Sequence, residues 1–97
     1  MFVVIARYKV EPEHQDRVRQ LLVPLAAFSR EEEGNRGYEV LEDLEEPGEF
    51  RIIEQYVDKA AFEAHLASDH YHDIAAHKIR PLLADRQFST YGPIPGT

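Results

Sequence analysis

The chain contains no cysteine and no tryptophan. Without cysteine there are no disulfides, thiolate metal sites or thiol nucleophiles, and a cytoplasmic location is the default expectation. No uninterrupted apolar run approaches the ~20 residues needed to cross a bilayer, so no membrane association is expected. A Gly-rich dinucleotide fingerprint and a phosphate loop are both missing, which is compatible with chemistry that needs no cofactor. Positive charge is also scarce. Eleven basic residues stand against 18 acidic ones, a net charge of −7 that would repel a polyanionic backbone, so nucleic acid is not an expected partner. Much of the acid falls in Glu42, Asp43, Glu45, Glu46 and Glu49 around Pro47-Gly48, which reads as a solvated hairpin tip.

What is present fits one domain of 97 residues, with about 93–97 as a C-terminal tail. The opening MFVVIARYKV has no basic stretch before its apolar run and no small-residue cleavage site, and reads as a first strand over Phe2–Val10. Alternation puts Phe2, Val4, Ala6, Tyr8 and Val10 on one face and Val3, Ile5, Arg7 and Lys9 on the other. Both faces begin apolar, which predicts a sheet covered on both sides.

Pro12, Glu13 and Asp16 mark a helix start. Val18, Leu21, Leu22, Leu25 and Phe28 then draw one apolar stripe, with an end near Glu33 and a stop at Gly34. Pro24 lies inside and deletes a backbone hydrogen bond, so a kink or break is expected there. Tyr38–Leu44 and Phe50–Val57 read as a hairpin closed by EEPGE. Asp58 caps a helix carrying Ala61, Phe62, His65 and Leu66 on its core stripe. Ser68 and Asp69 interrupt it, a second helical piece runs from about His70 to Leu83, and Arg86–Tyr91 is the last strand.

The order β-α-β-β-α-β predicts an α+β, ferredoxin-like fold: a four-stranded antiparallel sheet with helices on one face. Helices cover only one face in this topology. The apolar residues of the other face then call for a second copy, a homodimer packed sheet to sheet.

Chemistry concentrates in Glu54–Tyr71, EQYVDKAAFEAHLASDHY. His65 sits on the apolar stripe, as a core histidine hydrogen-bonded to something like Glu54 or as a base. Tyr56 is either core packing with its hydroxyl satisfied or a hydrogen-bonding group of a site. His70, Asp73 and His77 share one helical face, but the spacing matches no zinc motif and no HExxH occurs, so no metal is expected.

FSREEEGNRGYEV, followed by PGEFRIIEQYVDKAAFEAHLASDH, resembles the antibiotic biosynthesis monooxygenase family of dimeric α+β barrel proteins. The matching features are Ser29-Arg30 with Glu33-Gly34 before Tyr38, Glu54 with an aromatic two residues on, then His65, Ser68 and His70. The resemblance implies a cofactor-independent monooxygenase in which a small aromatic, quinol or enolisable substrate supplies the electrons to O2. Two alternatives stand beside it: an isomerase or degrading enzyme for a small oxo metabolite, which would use the same base without oxygen, or a non-catalytic ligand-binding or stress-associated dimer. His65 and His70 are then the expected bases and Tyr56 orients a substrate oxygen. Glu54 and Tyr38 are expected to contact substrate. Arg7 would stabilise anionic charge if it faces the pocket, although alternation sets it opposite Tyr8. The haem-degrading branch carries an asparagine in the first strand and a tryptophan ending the third; here Arg7 and Tyr56 stand there, which disfavours haem.

Overall fold

The computed structural model describes Met1–Thr97. Strand β1 spans Phe2–Lys9, helix α1 Gln15–Arg30, β2 Asn35–Glu42, β3 Glu49–Tyr56 and helix α2 Lys59–Leu66. A π-wound helix, α3, spans Tyr71–Ile79, and β4 spans Asp85–Tyr91. Short 3₁₀ turns at Pro12–His14 and Arg80–Leu82 precede α1 and follow α3. The strands form one antiparallel sheet in the order β2-β3-β1-β4. This is the expected ferredoxin-like architecture.

Register decides which residues meet the helices. Val4 pairs with Glu54, Ala6 with Ile52 and Tyr8 with Phe50, and on β2 Tyr38 pairs with Glu54 and Val40 with Ile52. These residues share the face under α1 and α3, where Val18, Leu21, Leu22, Leu25, Ile74 and Ile79 complete the main core. Full burial of an aliphatic side chain of this size is worth about 1.5–3 kcal/mol. A smaller cluster of Val4, Tyr56 and Phe62 sits under α2. The opposite face bears Val3, Ile5 and Ile53, each only half-buried, together with Arg7 and Arg51.

Helix α1 runs through Pro24 without a break, contrary to the alternative of two pieces. Proline leaves the carbonyl four residues back, on Gln20, without its helical partner. Gln20 is exposed and Val23 is 71% exposed, so water is at hand on that side while Leu21, Leu22, Leu25 and Ala26 keep the inner face packed. Asp58 caps α2 as expected, its carboxylate accepting from the Ala61 N–H at 2.9 Å. Both hairpin strands begin and end one to three residues earlier than the pattern implies, because Asn35 and Gly37 already pair with β3. Gly48, at φ +86°, makes the turn, and its amide donates to Glu42.

Candidate functional site

Glu32 lies in the turn between α1 and β2, and three contacts fix that turn. Arg30 donates from Nε and Nη2 to the Tyr38 carbonyl at 3.0 and 2.7 Å. The Val57 N–H donates to the Gly34 carbonyl at 2.9 Å. Gly34 also faces Ala61 so closely that a Cβ there would lie 2.4 Å from the Ala61 Cβ. The missing side chain is what allows the turn and α2 to approach, and the approach brings Glu32 to the histidines.

His65 is on the last turn of α2 and is 2% exposed. Ser68 ends that helix by donating its hydroxyl to the His65 carbonyl at 2.6 Å, and its Oγ accepts from the Tyr71 N–H, which sets His70 at the entry to α3. The two rings then converge on one atom: His65 Nδ1 lies 2.7 Å and His70 Nε2 2.5 Å from Glu32 Oε2. The other carboxylate oxygen, Glu32 Oε1, is buried with no hydrogen-bond partner. Rings pack around the pair, with Phe28 stacked on His70 at 5.8 Å and Tyr71 edge-on to His65 at 5.3 Å.

On the sheet side, Tyr56 donates its hydroxyl to Glu54 Oε1 at 2.5 Å. His65 Nε2 is 3.6 Å from the same oxygen, beyond a hydrogen bond. The partner of His65 is therefore Glu32, where the sequence pointed to Glu54. Burial pushes the Glu54 carboxyl up to about 7, against the hydrogen bond from Tyr56. Burial also pushes His65 down, against the pull of Glu32. The phenols of Tyr56 and Tyr38 are both held well above their usual range, by burial first and the Glu54 charge second. A neutral His65 has one N–H, and a carboxylate only accepts, so that proton belongs on Nδ1 and Nε2 carries the lone pair. The result is a run of acids and bases, Tyr56, Glu54, His65, Glu32 and His70, drawn from β3, α2, the turn after α1 and the entry to α3.

An apolar cavity of about 120 Å³ opens next to this run, between α2, α3 and the exposed strand β4. Val4, Ala6, Phe62, Leu66 and Phe88 line it, with Tyr8, Tyr71 and Arg86 adding polar groups. Cavities of ~150 Å³ take a single aromatic ring. Phe62 and Tyr71 are shared between the cavity wall and the packing around His65.

Of the residues expected at a site, His65, His70, Tyr56 and Glu54 come together, and Tyr38 packs against His65 with ring centroids 5.9 Å apart. Arg7 does not join them. It lies on the helix-free face, where its guanidinium donates to Glu49 at 2.6 Å, because residue 7 has the opposite parity to Val4 and Tyr8. Asp73 and His77 are exposed on α3, away from the cluster. Glu32 was not anticipated. Its signal is three consecutive acids, Glu31 to Glu33, at a helix C-terminus, where the macrodipole disfavours negative charge.

The family model for antibiotic biosynthesis monooxygenase matches residues 1–77. Bacillus subtilis (strain 168) "Putative monooxygenase YcnE" is 33% identical over 76 residues, spanning 78% of this chain and 80% of that one. The solved structure of Rv0793 from Mycobacterium tuberculosis superposes with TM-score 0.88 at 29% identity, covering 96% of this chain and 94% of that one. A crystal structure of an antibiotic biosynthesis monooxygenase superposes with TM-score 0.91, also at 29% identity, over 98% of this chain and 100% of the other. The chain belongs to the antibiotic biosynthesis monooxygenase family.

Proposed function

We propose that the protein is a cofactor-independent monooxygenase oxidising a small aromatic, quinol or enolisable substrate with O2, as a homodimer joined through the helix-free sheet face. The observation that carries this is the buried acid–base run beside an apolar cavity. A hydroxyl-bearing ring seated against Phe62 and Tyr71 lies one ring away from His65, so its proton reaches the Nε2 lone pair, which faces Glu54, through an intervening water. Glu32 stabilises the imidazolium that forms, and Glu54, poised near neutrality, exchanges the proton. The substrate anion is the electron donor. For a phenol, one oxygen atom of O2 becomes a ring carbonyl and the other leaves as water, so the phenol becomes a quinone and the electrons balance.

No helix is long and apolar enough to cross a membrane. The test is oxygen uptake with a panel of naphthoquinols and polycyclic phenols. The wild type is expected to consume O2 with at least one of them, and His65→Ala to lose about 100-fold or more. Equal uptake by the two proteins would remove the base from the reaction.

A further inference from the structure

We propose that Glu32, His65 and His70 form a binding site for a divalent transition-metal ion of the zinc class. Their ligand-type atoms lie within 4.8 Å of one another, contributed by the turn after α1, by α2 and by the entry to α3. Two imidazoles and one carboxylate are the donor set of zinc, cobalt and their neighbours, where calcium and magnesium take oxygen alone. Spacing along α3 hides the site, because the third ligand comes from a segment 33 positions before His65.

Three features separate this trio from an ordinary buried ion pair. Both ring nitrogens aim at a single oxygen, while Glu32 Oε1 is buried and unpartnered and so free to turn toward a cation. With metal–ligand bonds of about 2.0–2.2 Å around a tetrahedron, ligand atoms sit roughly 3.3 Å apart, so the nitrogens need move from the shared oxygen by less than about 1 Å. Behind His65, the carboxylate of Glu54 stands 3.6 Å from the ring nitrogen that would not be coordinated, and Tyr56 orients that carboxylate. Ligating histidines ordinarily have such a carboxylate behind them. An open cleft of about 470 Å³ reaches Glu32 past Arg36 and Ala64 and gives an ion a way in. Three protein ligands leave a fourth position for water.

Glu32, His65 and His70 also serve the proposed oxygen chemistry, so the test reads metal binding itself and not turnover. The untagged full chain, stripped with chelator, would be titrated calorimetrically with Zn²⁺, and with Co²⁺ followed by visible absorption. Expected are one ion per chain at micromolar affinity or tighter, and losses of more than about 10-fold in Glu32→Gln and in His70→Gln, with circular dichroism showing both folded. The His72→Ala/His77→Ala double variant, altered only on exposed rings, should bind like the wild type. Absence of binding at submillimolar metal, affinity unchanged in Glu32→Gln and His70→Gln, or loss of binding in the surface double variant would each overturn the proposal.

Discussion

Glu32 Oε2 lies 2.7 Å from His65 Nδ1, and this one contact determines which nitrogen of a buried imidazole is available for chemistry. Replacing the acceptor-only carboxylate by an amide, in Glu32→Gln, removes both the tautomer preference and the charge that stabilises an imidazolium. The variant should fold, since it keeps the volume. Its kcat is expected to fall by about 100-fold with KM little changed, read by steady-state oxygen uptake. An unchanged kcat would show that His65 acts without Glu32.

Gly34 is where the turn carrying Glu32 meets α2. Gly34→Ala places a Cβ 2.4 Å from the Ala61 Cβ, and relieving such overpacking costs about 1–3 kcal/mol. The melting temperature should drop by about 4–8 °C for each kcal/mol. Adding Ala61→Gly should recover part of the loss. A double variant no better than the single one would place the strain elsewhere.

The pH dependence of stability has one contribution far from the site. Arg19 of α1 donates Nε and Nη2 to the two oxygens of Glu42 on β2, at 2.8 and 2.7 Å. That pair holds the Glu42 carboxyl near 2, against an ordinary 4.5. A folded-state value below the unfolded one means the unfolded chain binds the proton first. The contribution is therefore complete above about 4.5 and is lost as pH falls from there through about 2. Urea midpoints of Glu42→Gln should be flatter over that window than those of the wild type. Parallel curves would contradict the assignment.

The helix-free face carries the dimer expectation. Ile5 and Ile53 are paired across β1 and β3 at its centre, with Val3 beside them. Ile53→Asp should yield a monomer by analytical ultracentrifugation at micromolar concentration, while the wild type sediments as a dimer. A wild-type monomer would refute the sheet-to-sheet arrangement.

The period-two pattern put Ile52, Glu54 and Tyr56 together on one face of β3 and Val4 and Tyr8 on one face of β1, and the Asp58 cap fixed the phase of α2 and hence of His65, but that the two strand faces are the same one follows only from the register. These are local signals, and the sequence carries them openly. Glu32 belongs to a different class, because its position depends on a close approach that Gly34 permits over a distance in the chain no local pattern measures. Pro24 looked disruptive because propensity counts the missing hydrogen bond but not which side of the helix is wet. The π-winding of α3, visible in the Arg80 N–H donating to the Ala75 carbonyl, has no signature in the spacing of Ile74, Ala75 and Ile79.

In the proposed reaction the site directs one oxygen atom of O2 into an organic substrate. Turnover of an accepted quinol or phenol under isotopically heavy O2, followed by mass spectrometry of the product, tests it most directly. One heavy oxygen atom is expected in each product molecule and the other in water. Turnover with no heavy oxygen in the product, as an isomerase or a simple quinol oxidase would give, would contradict it.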